Sequence, residues 1–206
     1  LIINRQQGVE RINKNRGIEP NKNIFLDTYV MTKELFINLV EKAHNLSSMY
    51  TLCQIVNMSC GDLDVRGVEH TGFFAPLTTF KNFYKYNMSL IDYSVARELF
   101  DAKWPIYTRT NDSCPTQYYA GSSVKGSVVS NGCLVEGTVE NSIIGRGCVI
   151  GKGCVIKNCI ISSDVVIAEG TYLENLVVDK HAKITHAKEI VCDAENPGYV
   201  KRGDTL

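Results

Sequence analysis

Three residues near the end of the chain have the types that bind transition metals. His181, His186 and Cys192 offer imidazole and thiol groups, which are ligands of Zn²⁺. Their spacing matches no zinc motif, so a zinc site is not expected. Each histidine can also act as a general base, because an imidazole titrates near neutral pH.

Basic side chains suggest a second kind of chemistry, the binding of anions. Arg109, Arg146 and Lys152 are candidates for an effector-phosphate site between domains. Charged residues are common on exposed turns, however, and solvated positions are the favoured interpretation. The aromatic residues Phe73, Phe74 and Phe80 suggest either a pocket or, the favoured interpretation, core packing.

The chain has eight cysteines, of which Cys133, Cys148 and Cys154 fall on inward positions of a repeat. There a thiol behaves as a small hydrophobe. Cys133 and Cys148 are expected on adjacent coils about 4.8 Å apart, which permits a disulfide. We favour reduced thiols, because no signal-peptide core is present and a cytosolic compartment is expected. Cys53 and Cys60 flank a predicted strand end and are expected to be structural.

The strands that position these groups are predicted from a short sequence repeat over residues 124–184. Aliphatic residues recur in steps of five or six, which is typical of a β-helix of hexapeptide repeats. Each hexapeptide should form a short strand and a turn, and three should form one triangular coil. The regular spacing of the repeat is interrupted around residues 139–142, which predicts a bulge or a protruding turn. The aliphatic residues predicted to point inward are Ile144, Ile150, Ile156, Ile161, Ile167, Leu173, Val178 and Ile184.

The amino-acid composition of the chain limits the classes of partner that it is expected to bind. The chain has 206 residues, with 22 basic and 22 acidic side chains and a net charge of zero, which argues against a nucleic-acid partner. No stretch approaches the roughly 20 apolar residues of a membrane span. We expect a cytoplasmic protein. The first residue is Leu1, so we also expect a fragment of a longer chain.

The first half alternates predicted strands and helices, as the end of an α/β domain does. Strands are predicted over residues 23–31, 50–58 and 63–69. Helices are predicted over residues 33–44, after Thr32 as the N-cap, from Thr79 onwards, and over 91–100. The predicted organisation is an α/β portion (1–103), a linker (104–120), a β-helix (121–190) and a C-terminal cap and tail (191–206).

The residues of the repeat and its linker resemble the C-terminal portion of bacterial glucose-1-phosphate adenylyltransferases. The likeness extends over about residues 24–184, and its most similar stretches are 83–90, 105–108, 115–118, 121–124, 132–137 and 139–142. It implies a left-handed parallel β-helix after a Rossmann-like nucleotidyltransferase domain. The family uses Mg²⁺ to join ATP and glucose 1-phosphate into ADP-glucose and pyrophosphate for glycogen synthesis. Nothing in this chain resembles the family's glycine-rich nucleotide loop.

The resemblance places the family's sugar-phosphate segments on altered residues. Its Glu-Lys-Pro stretch falls on residues 13–15, where Asn13 replaces the acid and Lys14 remains. The segment that holds glucose falls on residues 25–29, where Phe25 replaces a serine and Asp27 follows. The aspartate that helps to bind the metal falls on Pro76, whose side chain has no oxygen ligand. A solvated loop position is favoured for Lys14.

These changes resemble the GlgD-type companion subunit of the family, a regulatory and assembly subunit without a catalytic role. The implied partner is a catalytic adenylyltransferase subunit in a hetero-oligomer, with self-association also open. No catalytic, metal or cofactor residue is expected in this chain. Two alternatives stay open: an active nucleotidyltransferase with substitute residues, and a hexapeptide-repeat acyltransferase with a coil-edge histidine as general base.

Overall fold

A computed structural model describes residues 1–13, 23–47, 50–108, 110 and 112–206 of the chain. The chain divides into two compact units, Leu1–Thr71 and Gly72–Leu206. None of the helices in this described part is long and apolar enough to cross a lipid bilayer.

The first unit contains a small antiparallel pair of strands and two helices. Strand β1 (Ile2–Ile3) pairs with β2 (Val9–Arg11). Helices α1 (Lys33–Leu46) and α2 (Leu52–Ser59) pack through a small apolar cluster. The buried members of this cluster are Leu39, Ile55 and Val56.

The predicted helix after Thr32 is confirmed, since the Thr32 hydroxyl accepts a hydrogen bond from the Leu35 amide at 3.2 Å. The predicted strand over residues 50–58 is wrong, because this segment contains α2. Thr51 and Gln54 form a capping box that begins this helix. Residues 23–31 are irregular, and residues 63–69 contain one isolated bridge, from Arg66 to Gly8. Their β-branched residues predicted strands, but a strand also needs a hydrogen-bonded neighbour.

The second unit begins with two helices, α3 (Phe80–Ser89) and α4 (Tyr93–Leu99). Thr79 caps α3 by accepting from the Asn82 amide at 3.1 Å, and Asp92 caps α4 by accepting from the Ser94 amide at 2.8 Å. Both helices confirm the sequence prediction. Short polar side chains at these positions satisfy amides that have no partner inside the helix.

A parallel β-helix forms the rest of the second unit. Its strands are β3 (Gln117–Tyr118), β4 (Ser123–Lys125), β5 (Val128–Val129), β6 (Leu134–Val135), β7 (Thr138–Glu140), β8 (Ile143–Ile144), β9 (Val149–Ile150), β10 (Val155–Lys157), β11 (Ile160–Ile161), β12 (Val166–Ile167), β13 (Tyr172–Glu174), β14 (Leu176–Val178), β15 (Lys183–Ile184), β16 (Glu189–Val191) and β17 (Gly198–Val200). Every third strand pairs in parallel, which gives three five-stranded sheets. We name them face A (β3-β6-β9-β12-β15), face B (β4-β7-β10-β13-β16) and face C (β5-β8-β11-β14-β17).

This arrangement confirms the predicted left-handed hexapeptide β-helix. All eight aliphatic residues predicted to point inward are buried, each with at most 1% of its surface exposed. Cys133, Cys148 and Cys154 lie in the same core, each with 0% exposed. The paired strands extend from Gln117 to Val200.

One coil of the β-helix is shorter than the others. On face B, 15 residues separate Val124 from its partner Val139, whereas 17 separate Val139 from Ile156. The shortened corner lies between β6 and β7, at Gly137, where an added Cβ would come within 2.6 Å of the Cys154 carbonyl oxygen. The predicted bulge at residues 139–142 is therefore wrong, because those residues form an ordinary corner and the shortening precedes them.

Candidate functional site

Of the residues predicted to mark the sugar-phosphate region, Asn13 and Asp27 belong to the first unit and Pro76 belongs to the second. Asn13 is exposed, and Lys14 lies outside the described residues. Asp27 is exposed on a turn with a φ of 52°. Its carboxylate accepts a hydrogen bond from the Tyr29 hydroxyl at 2.9 Å, and burial together with this bond raises the pKa of Tyr29. The Asp27 carboxylate is therefore hydrogen-bonded by the Tyr29 hydroxyl at the surface of the first unit.

Pro76 belongs to the second unit and lies half-buried in the irregular segment before α3. A proline side chain has no oxygen or nitrogen that can bind a cation. In the described part of the chain, no group of three or more His, Cys, Asp or Glu side chains is arranged to hold a metal ion. The residue present at this position thus does not fit a magnesium ligand.

The predicted anion-binding residues do not converge. Arg146 precedes strand β9 and Lys152 follows it, so they lie at two different corners of the coil. Both are exposed, and Arg109 lies outside the described residues. Arg146 and Lys152, the two of these residues that the structure describes, are separated by strand β9 and the turns on either side of it.

The two histidines lie on either side of β15, again at different corners. His181 has a φ of 61° and its Nδ1 lies 3.6 Å from an Asp164 carboxylate oxygen. His186 is exposed, and Cys192 is half-buried at another corner. In the first unit, Cys53 lies within α2 rather than beside a strand.

The outward side of face C carries an aliphatic column along the β-helix axis. Ile160 lies opposite Ile143 on one neighbouring strand and opposite Val177 on the other. Ile160 and Val177 are only 6% and 3% exposed, although they point away from the β-helix core. A strand buried on both of its sides must have a second layer over it, and here that layer is α3.

Three contacts hold α3 on face C. The Phe80 ring packs edge-on against Tyr199, with ring centroids 5.6 Å apart. The Tyr84 hydroxyl donates to the Asn158 carbonyl oxygen at 2.6 Å, and burial raises the pKa of Tyr84 to about 12. Lys81 forms an ion pair with Glu195. These contacts extend from the middle coil to the last one, so α3 runs along the axis of the β-helix.

Face A of the β-helix presents a different outward surface. Face A has an outward row of Leu134, Val149 and Val166, which are paired in register and half-buried. Gly151 and Ala168, the residues that follow β9 and β12, are also half-buried and small. Face A therefore has a flat apolar stripe, which is a common feature of surfaces that pack against other proteins.

Known proteins share both the repeat and the segments before it. Residues 115–199 match the family model described as GlmU-like, C-terminal hexapeptide. The glycogen biosynthesis protein GlgD of Bacillus subtilis (strain 168) is 35% identical over 178 residues, which cover 86% of this chain and 52% of that protein. The chain is similar to members of the glucose-1-phosphate adenylyltransferase family. This similarity includes the first unit as well as the β-helix.

Further family members match shorter stretches. The GlgD protein of Geobacillus stearothermophilus is 47% identical over 70 residues, which are 34% of this chain and 20% of that protein. The glucose-1-phosphate adenylyltransferase of Corynebacterium jeikeium (strain K411) is 30% identical over 122 residues, which are 58% of this chain and 30% of that protein. The chain spans about half the length of the B. subtilis relative and less of the others.

The docking of α3 on the β-helix was not predicted from the sequence. A signal for it was present, because Leu176, Val177 and Val178 are consecutive aliphatic residues in one strand. Such a run indicates a strand that is buried on both sides. Ile160 and Ile161 show the same pattern one coil earlier. The hydrogen bond from Tyr84 has no counterpart in the sequence pattern.

Proposed function

We propose that this chain acts in glycogen biosynthesis, as part of a subunit that regulates or assembles a glucose-1-phosphate adenylyltransferase. The enzyme would make ADP-glucose and pyrophosphate from ATP and glucose 1-phosphate. The observation that carries the proposal is the similarity to the B. subtilis GlgD protein along 86% of the chain.

The residues at the altered sugar-phosphate positions support a role other than catalysis. Nucleotidyl transfer depends on a divalent ion that neutralises developing charge, and that ion needs oxygen ligands. Pro76 supplies none at the position where the family resemblance expects an aspartate. Phe25, which packs edge-on against Tyr29 at 5.2 Å, occupies the position of a glucose-binding serine.

Two features of the second unit support an assembly role. Helix α3, which follows the segment that contains Pro76, packs directly on face C. The aliphatic stripe of face A offers a flat surface for a neighbouring subunit. We assign this surface to the catalytic subunit because parallel solenoid faces present continuous side-chain ladders to partners.

The test combines the full-length protein with its catalytic relative. We expect a hetero-oligomer on size-exclusion chromatography and a rate of ADP-glucose synthesis, or an effector response, that differs from that of the catalytic subunit alone. If no complex elutes and the kinetics are unchanged, the proposal is wrong.

Two matched variants test the assignment of the surface. Val149→Lys places a charge on the stripe of face A, and Thr138→Lys places the same charge on the outward side of face B. Both positions are half-buried. We expect Val149→Lys to abolish the complex and Thr138→Lys to preserve it, and equal behaviour would exclude face A as the contact.

The alternative is catalysis by the full-length protein itself, and the hydrogen-bonded carboxylate of Asp27 favours it. Under this alternative, the protein alone makes ADP-glucose and Asp27→Asn lowers the rate at least tenfold. Under our proposal, no ADP-glucose forms without the catalytic subunit.

Acyl transfer is a further alternative, favoured by the 3.6 Å approach of His181 to Asp164. A general base of this kind would require the acyl donor to bind beside it. Calorimetry of the full-length protein with coenzyme A tests this, and we expect no heat of binding.

A further inference from the structure

Two buried cysteines occupy the same position on successive coils. Strand β6 pairs with β9 so that Leu134 lies opposite Val149, which places the preceding residues, Cys133 and Cys148, one rung apart. Paired strands lie about 4.8 Å apart, and the Cα atoms of a disulfide are separated by about 4.4 to 6.8 Å. Both side chains point into the core. The spacing of adjacent coils therefore lies within the Cα separation of a disulfide.

The two thiols differ in how readily they lose a proton. The interaction with the Cys148 thiol lowers the pKa of Cys133, and the same interaction together with burial raises the pKa of Cys148. Each thiol donates to a backbone carbonyl oxygen, Cys133 to that of Gly145 at 3.0 Å and Cys148 to that of Ser162 at 3.0 Å. Cys133 is thus the member of the pair that loses its proton first, as an attacking thiol must.

The other core cysteines have no such neighbour. Cys154 precedes β10, and the residues at its position on the adjacent coils are Gly137 and Thr171. Cys159 precedes β11, and its counterparts are Ser142 and Leu176. Among the four fully buried cysteines, Cys133 and Cys148 alone are stacked on each other.

The stacked pair lies close to the N-terminal end of the β-helix. Only the coil that begins with β3 precedes Cys133, and in that coil Tyr118 and Val128 are 55% and 44% exposed. A terminal repeat contacts a neighbour on one side only and opens most readily. Opening of this coil would expose Cys133 while the remaining coils stay folded.

We propose that Cys133 and Cys148 form a thiol–disulfide pair, which a small external disulfide such as oxidised glutathione converts into a bridge between two coils. The Cys133 thiolate attacks one sulfur of the external disulfide, forming a mixed disulfide and releasing one thiol. Cys148 then gives its proton to water and attacks the Cys133 sulfur, which releases the second thiol. Two protein thiols are oxidised and one external disulfide is reduced.

The bridge ties together the second and third coils from the N-terminal end of the β-helix. It shortens the free chain between residues 133 and 148 in any opened state, and so makes opening less favourable. Oxidation should therefore slow amide hydrogen exchange in β6 and β9. Reduction should restore the original exchange rate.

The experiment exposes the folded full chain to oxidised glutathione, traps free thiols with N-ethylmaleimide and maps the peptides by mass spectrometry. We expect a peptide pair joined through Cys133 and Cys148, two hydrogens lighter than the reduced pair, which dithiothreitol separates. In Cys154→Ala the bridge should form as in the parent chain. In Cys133→Ala and Cys148→Ala it should be absent, and the oxidation-dependent slowing of hydrogen exchange should disappear with it.

Mapping of the parent chain needs no variant, so the test holds even if an alanine variant fails to fold. The proposal is overturned if exposed Cys114 becomes glutathionylated while Cys133 and Cys148 remain free thiols at every glutathione ratio. It is equally overturned if the bridge forms only after the chain is unfolded by denaturant.

Discussion

Individual residues set the corners of the β-helix. Asn141, Asn158 and Asn175 follow the strands of face B on three successive coils, with φ values of 44°, 49° and 56°. Asparagine tolerates this left-handed conformation better than most residues, because its short side chain bonds locally. The Asn141 amide donates to the Asn158 side-chain oxygen at 2.7 Å, and that of Asn175 donates to the Cys192 carbonyl oxygen at 2.8 Å. These corners therefore combine a tight turn with bonding between coils.

Substitution of Asn158 separates the two contributions of such a corner. Asn158→Ala loses the side-chain bond and must also hold a Cβ residue in the left-handed region, which costs about 1 to 2 kcal/mol. Asn158→Gly loses only the side-chain bond. We expect chemical denaturation to show the alanine variant to be less stable than the glycine variant. Equal stability of the two would show that the backbone conformation at this corner costs nothing.

Tyr84 gives a pH-dependent prediction. Its pKa is about 12 in the folded chain and about 10 when unfolded, because burial disfavours the phenolate. The raised value means that its contribution to stability is complete below pH 10 and declines as the pH rises towards 12. Tyr84→Phe lacks the hydrogen bond to Asn158 and should be less stable by about 1 kcal/mol at pH 8. The difference between the two proteins should shrink above pH 10, and a constant difference would contradict this account.

At the scale of elements, helix α3 and face C stabilise each other. The helix has an N-cap, aromatic residues and a mixed polar surface, and none of its side chains is fully buried. A ten-residue helix is marginal in water by itself, so it depends on the surface beneath it. Face C in turn presents Ile160 and Val177, which would be exposed without α3. The two elements should therefore be lost or retained together.

Truncation of Ile160 tests this dependence. Ile160→Ala leaves a cavity under α3 and should cost about 2 to 5 kcal/mol, with faster hydrogen exchange throughout residues 80–89. Leu134→Ala removes a similar side chain from the half-buried stripe of face A and should leave exchange in α3 unchanged. If both variants affect α3 equally, the helix is not held by face C.

At the scale of the whole molecule, the β-helix is a one-dimensional stack. Each coil hydrogen-bonds only to the coils before and after it, so stability spreads by nearest-neighbour contacts. The cysteines of the proposed thiol pair lie towards one end of this stack, and Val200 lies at the other. The number of coils that a destabilising substitution affects should therefore depend on where in the stack the substitution lies.

A matched pair of core variants tests the position dependence. Ile150 and Ile184 are both 0% exposed and both point inward on face A, in the middle and last strands respectively. Ile150→Ala should accelerate hydrogen exchange in every coil, because it weakens both neighbours. Ile184→Ala should accelerate exchange mainly in β15, β16 and β17. A uniform response to Ile184→Ala would mean that the β-helix unfolds as a single unit.

The sequence by itself determined the β-helix and its core, because the inward residues repeat at nearly constant steps and each strand needs only its own side chains to specify a face. It also determined where α1 and α3 begin, since Thr32 and Thr79 act within one helical turn. Both kinds of signal are local, so they can be read from the sequence without knowing which segments pack against each other.

Tertiary structure decided the features that depend on distant residues. The segment over residues 50–58 has β-branched residues yet forms α2, whose apolar side chains pack on α1. The short corner at Gly137 depends on the approach of Cys154 from the next coil. The burial of Ile160 and Val177 depends on α3. These outcomes are set by contacts between segments far apart in the chain, and no local pattern of residue types specifies which segments will meet.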